Sequence, residues 1–132
     1  MVISAIYEEL RQVAVDEFGN IVVSTDIDIL PSGDPRKLRL QVVDGSFVDI
    51  FISVSGRYSY HWQRTDAVNA VIYRHDNAPH ASWRSVDTYP KHFHDGSEHN
   101  VVASHPSKDP LQALREVRFF VRQKLCDEPV SF

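Results

Sequence analysis

The stretch Arg57-Tyr58-Ser59-Tyr60-His61-Trp62-Gln63 decides the fold. Side chains of a β-strand point alternately to opposite faces. Tyr58, Tyr60 and Trp62 therefore share one face, and Arg57, Ser59, His61 and Gln63 share the other. Three aromatics side by side need a cover, which helices packed on a sheet provide. The face that carries His61 is then the more open one.

Working outward, the neighbouring segments also read as strands. Ser55-Gly56 separates this strand from Phe47 to Val54, and Asp44-Gly45 before that is a strong hairpin signal. Leu38, Leu40 and Val42 alternate with Arg39 and Gln41. Ile21 to Leu30 alternates in the same way, beyond a loop at Pro31 to Pro35. On the other side, Val68 to His75 reads as a fifth strand. Ile3 to about Ala14 repeats its apolar residues at helical spacing. Asp109-Pro110 gives a cap followed by proline, and Leu111, Leu114, Val117, Val121 and Leu125 form the stripe of a last helix. Asp76 to Ser107 reads mostly as loop, with one short strand at Val101-Val102, and the tail from Asp127 reads as frayed. The expectation is an α+β fold. A single antiparallel meander sheet of about five strands carries an N-terminal and a C-terminal helix on one face.

Bulk properties set limits on function. The chain has 132 residues, 42% hydrophobic and 24% charged, which suits one globular domain over residues 1–132. The formal charge of −4 argues against a protein that holds nucleic acid by bulk charge. Its one cysteine, Cys126, cannot form an intramolecular disulfide and reads as a small apolar residue at a helix end. The opening MVISAIYEEL lacks a basic segment before its apolar residues, and no apolar run reaches membrane length. A cytoplasmic protein with no membrane association is expected.

Five of the seven histidines fall between His75 and His99, interleaved with Asp76, Asn77, Lys91, Asp95 and Glu98. His92-Phe93-His94 puts two imidazoles on one side of an extended segment and turns Phe93 away. Two chemistries want that arrangement. In metal binding, His92 and His94 would ligate a transition metal such as zinc, with Asp76, Glu98 or His99 completing the shell. In metal-free phosphoryl chemistry, one imidazole takes the proton of an RNA 2′-hydroxyl and another protonates the leaving oxygen, while Arg74 or Lys91 stabilises the phosphorane. Arg74 and Asp76 lie two apart and can pair. On the last helix Arg115, Arg118 and Arg122 line one face, which reads first as solvated surface and second as a contact to RNA or an acidic partner. A glycine-rich phosphate loop and a nucleophile elbow are both missing from the sequence.

Three motifs in order carry a resemblance. Tyr58-Ser59-Tyr60-His61-Trp62-Gln63, Tyr73-Arg74-His75-Asp76-Asn77-Ala78-Pro79-His80 and Tyr89-Pro90-Lys91-His92-Phe93-His94 resemble the TumE-type toxin family of prokaryotic toxin–antitoxin systems. Leu38 to Val54 resembles that family's leading strands. The resemblance implies a small toxin encoded beside a helix-turn-helix antitoxin, and toxins of this size commonly act on RNA. The positions it carries over are His61, Trp62, Gln63, Arg74, Asp76, Asn77, His80, His92 and His94. After the proline the family's pattern is histidine-histidine-lysine-histidine, where this chain has Lys91-His92-Phe93-His94.

The expected function is a type II toxin acting as a metal-independent endoribonuclease, with no cofactor. His61, Arg74, Asp76, His80, His92 and His94 are the candidate catalytic residues; Gln63, Asn77 and Lys91 would contact substrate. Its expected partners are the helix-turn-helix antitoxin, RNA and a second copy in a homodimer. The alternatives are a metal-dependent hydrolase using His92, His94 and Asp76, and a non-enzymatic binding module docking through the last helix.

Overall fold

A computed structural model describes residues 2–64 and 70–127. Helix α1 (Ile3–Glu17) is followed by strands β1 (Val22–Ile29), β2 (Pro35–Val42), β3 (Phe47–Ile52), β4 (Tyr58–Gln63) and β5 (Ile72–Asp76). A short 3-10 turn (Ala81–Trp83), β6 (His92–Gly96), β7 (Val101–Val102) and helix α2 (Pro110–Asp127) complete the order. All the strands form one antiparallel sheet in chain order, β1 to β7. The meander and the two terminal helices agree with the sequence reading.

The sheet has seven strands, however, and not about five. Val101-Val102 is the short strand expected there, while β6 replaces expected loop. The reason lies in its residues. Its buried positions are His92 and His94, so it lacks the apolar alternation that marks a strand. The start expected for the fifth strand, at Val68, lies outside the described residues. So does the tail beyond Asp127, whereas Asp127 itself still belongs to α2.

The local chemistry explains the elements. Gly45 takes φ +90° in the β2–β3 hairpin, where Asp44 Oδ1 accepts from Ser46 N at 3.0 Å. Asp109 Oδ1 accepts from Leu111 N at 3.2 Å and caps α2. The core lies between the helices and one face of the sheet. Leu38, Leu40, Val48, Ile50, Tyr60 and Trp62 meet Tyr7 and Leu10 of α1 and Leu114 and Val121 of α2 there. Each such aliphatic side chain contributes about 1.5–3 kcal/mol by leaving water. Trp62, 1% exposed, donates its indole N–H to Ser46 Oγ at 2.8 Å. Phe120 of α2 meets the rings of Trp62, Tyr73 and Phe93 edge-on. These contacts fix which face of β4, β5 and β6 the helices cover.

The opposite face carries the polar residues in register. Arg39 pairs with Asp49, Asp49 with His61, His61 with Arg74, and Arg74 with His94. One row of cross-strand neighbours thus runs from β2 to β6. Directly opposed side chains of an antiparallel pair are close enough to touch, and the meander sets them side by side.

Candidate functional site

Arg74 stands at the centre of this row, and its guanidinium has five N–H groups to satisfy. Nε donates to Asp76 Oδ2 at 3.0 Å. Nη1 donates to Glu98 Oε1 at 3.0 Å and faces His61 Nδ1 at 3.4 Å. Nη2 donates to Glu98 Oε2 at 2.9 Å and to His94 Nε2 at 3.2 Å. Every N–H has an acceptor, and the two outer nitrogens each hold one imidazole and one carboxylate oxygen.

A guanidinium only donates, so the ring nitrogens facing it carry lone pairs. His94 Nδ1 lies 2.9 Å from the Glu98 carbonyl, and the hydrogen of that ring sits there. His61 Nε2 lies 3.0 Å from Gln63 Oε1, to which it donates. Both imidazoles are therefore neutral and aim their basic nitrogens at one cation. Burial holds both below the usual imidazole range, and the Arg74 charge acts in the same direction. The Gln63 hydrogen bond opposes this at His61, as the Glu98 carbonyl does at His94. Burial also works against the charge of Arg74, but Glu98 and Asp76 outweigh it and raise the guanidinium pKa. The hydrogen bonds from Arg74 hold the Glu98 carboxyl below the usual carboxylate range.

Asp76 and His92 brace the centre from the next row. Asp76 Oδ1 accepts from Ala78 N at 2.9 Å and lies 3.1 Å from His92 Nε2. His92 Nδ1 donates to the Pro90 carbonyl at 2.9 Å. The His92 ring thus sits between the Pro90 carbonyl and the Asp76 carboxylate. Trp83 closes the top, its ring 5.6 Å from that of His94 and 6.1 Å from that of His92. The imidazoles are consequently 2% and 1% exposed. His80 Nδ1 accepts from Ser82 N at 3.2 Å, capping the turn that carries Trp83.

The geometry sorts the residues expected from sequence. His61, Gln63, Arg74, Asp76, His92 and His94 come together on the face opposite the helices, where Asp76, His92 and His94 are buried. His80 acts on the rim through Trp83. Asn77 is a brace: its Oδ1 accepts from Tyr58 N at 3.0 Å and its Nδ2 donates to the Gly56 carbonyl at 2.9 Å. Lys91 lines a separate cavity with Arg57, Tyr58 and Lys108 near the start of α2. The arginine face of α2 is partly spent on α1, since Arg115 pairs with Glu17 and Arg118 covers Phe18. Cys126 is exposed, not packed as an apolar residue. The sequence reading did not single out Trp83 and weighed Glu98 only as a metal ligand. A tryptophan in an otherwise polar loop was the available signal for the first.

The site carries one grouping suited to a metal. Among the described residues Asp76, His92 and His94 each offer a ligand atom, all within 4.8 Å of one another. Both histidines donate Nδ1 to a backbone carbonyl and leave Nε2 facing inward, the orientation seen in metal-ligating histidine. Arg74 competes for that space through its bonds to Asp76 Oδ2 and His94 Nε2.

Comparison with known proteins places the fold and site in context. The family model of the toxin TumE matches residues 11–125. The chain belongs to the TumE toxin family. The matched region takes in every residue of the site, from His61 to Glu98, and family membership implies an antitoxin partner for this toxin. No curated protein and no solved structure matches the chain. No helix of the toxin, among the described residues, is long and apolar enough to cross a membrane.

Proposed function

We propose that this toxin is a metal-independent endoribonuclease of a type II system, acting in the cytoplasm and neutralised by a helix-turn-helix antitoxin. One observation carries the reading: two neutral imidazoles present their lone pairs to the two outer nitrogens of a single guanidinium. Arg74 would hold the non-bridging oxygens of the scissile phosphate and stabilise the charge that grows on them. One of His61 and His94 takes the 2′-hydroxyl proton, and the 2′-oxygen attacks phosphorus. The bond to the 5′-oxygen breaks, and the other imidazole, protonated, gives its proton to that oxygen. The products are a 2′,3′-cyclic phosphate and a 5′-hydroxyl. His92 and Asp76 act as positioning residues through Arg74, and the turn bearing Trp83 swings aside to admit RNA.

The test is cleavage of single-stranded RNA by purified toxin in excess chelator, with the product ends read by mass spectrometry. Cyclic phosphate ends with activity intact support the reading. Loss of activity on chelation, restored by added metal, overturns it. The inward-facing trio of Asp76, His92 and His94 favours a metal-dependent hydrolase as the second reading. A metal there would take Nε2 of His92 and His94 with a carboxylate oxygen of Asp76, so zinc binding by the unaltered toxin that His92→Ala abolishes, measured by calorimetry, would favour this reading.

A further inference from the structure

The Arg74 fork already holds an anion. Glu98 lies in the turn between β6 and β7 and closes both outer nitrogens at 2.9 and 3.0 Å, the parallel two-bond geometry by which arginine binds carboxylate or phosphate. Its side chain is 56% exposed, whereas that of Arg74 is 22% exposed. The carboxylate thus enters from solvent, along the route an external anion takes to reach the same nitrogens. Gly96, two residues before it, takes φ +90°, a conformation open to glycine. The main chain of Glu98 stays tied to His94 Nδ1 through its carbonyl. The side chain can therefore leave while the turn keeps its orienting bond to the imidazole.

We propose that Glu98 is a resident stand-in for the substrate phosphate. It fills the phosphate subsite of Arg74 in the free toxin and sets which anions enter. This rests on the ribonuclease reading for the identity of the substrate, but the exchange of anions does not. A ligand replaces Glu98 only by presenting two oxygens to the fork together with enough further contact to offset the carboxylate. A phosphodiester within a chain meets that condition, since its neighbouring nucleotides add contacts. Small carboxylates are excluded.

Inorganic phosphate is the probe, and its binding to the intact toxin is followed by NMR of the His61 and His94 ring protons. Glu98→Gln keeps the size of the side chain and removes its charge. It is expected to bind phosphate about tenfold more tightly than the unaltered toxin, because the ligand no longer has to displace a charged two-bond partner from the fork. Asp95→Asn removes a charge from the same hairpin without touching the fork and is expected to change binding less than about twofold. Glu98→Gln combined with Arg74→Gln is expected to lose the gain. Equal affinity in Glu98→Gln and unaltered toxin overturns the proposal, as does an equal gain in Asp95→Asn, which would reduce the effect to net charge. A gain in phosphate binding with no RNA cleavage by any variant supports the exchange and overturns the ribonuclease reading alone. RNA cleavage that depends on Arg74 but is indifferent to Glu98, in both KM and phosphate affinity, does the reverse.

Discussion

Asp76→Asn strikes the brace of the site while preserving its shape. The carboxylate accepts from Ala78 N at Oδ1 and from Arg74 Nε at Oδ2, and His92 Nε2 lies 3.1 Å from Oδ1. An amide has one oxygen, so one side of the group must turn N–H toward a donor. Either Arg74 Nε loses its acceptor, or the Ala78 and His92 contacts do. The pair between Arg74 and Asp76 is mostly buried, with side chains 22% and 12% exposed. Breaking such a pair costs about 3 kcal/mol. For a domain of this size that lowers Tm by roughly 10 °C. Thermal and urea unfolding followed by circular dichroism measure the loss directly. The double variant Asp76→Asn, Arg74→Gln supplies the control, because removing both partners should cost clearly less than the two single losses added. If Asp76→Asn melts within about 2 °C of the unaltered toxin, or if the losses add, Asp76 does not hold the guanidinium and the brace is wrongly assigned.

Three further outcomes follow from the same geometry. The lowered pKa values of His61 and His94 keep a base ready at neutral pH but leave the protonated acid scarce, so kcat/KM for RNA should rise as pH falls below about 6.5; a rate that peaks above pH 8 contradicts this. His75, stacked on Phe93 on the helix side, is pushed down to about 4 by burial, against the Asp76 charge. The unfolded chain then binds a proton that the folded one does not between those two pKa values. Stability is full above about pH 6.5 and falls by up to about 3 kcal/mol as pH drops toward 4, and His75→Phe should flatten that slope to the part due to His61 and His94, as urea midpoints across the range would show. Trp83→Ala uncovers His92 and His94, so diethyl pyrocarbonate should modify them several times faster, detected by peptide mapping; unchanged rates would mean that Trp83 is not their cover.

The sequence made the covered face legible because its rule is simple. Tyr60 and Trp62 alternate with His61, and only one of the two sets suits a core, so the sidedness of β4 follows. The same alternation marked β2 and β3. It failed at β6, where burial serves histidines held by Pro90, Glu98 and Trp83, and no apolar pattern announces a strand. The candidate site was partly legible through its motifs, which put His61, Arg74, Asp76, His92 and His94 on one list. Their two adjacent rows were not, because those depend on the register of β4 with β5 and of β5 with β6, beyond the reach of local pattern. Lys91 shows the converse: adjacency to His92 in sequence suggests a shared site, while Lys91, just before β6, lines a separate cavity with Arg57, Tyr58 and Lys108. Glu98 arrives through a turn whose course no periodicity describes.

The central claim is that the His61–Arg74–His94 row carries the toxin's activity. Growth arrest on induced expression tests it most directly, comparing the unaltered toxin with Arg74→Gln and with the double variant His61→Ala, His94→Ala at matched soluble levels confirmed by immunoblot. Arrest by the unaltered toxin and normal growth with both variants is the predicted result. Undiminished arrest by either variant, at equal abundance, would contradict the account and direct attention to another face of the molecule.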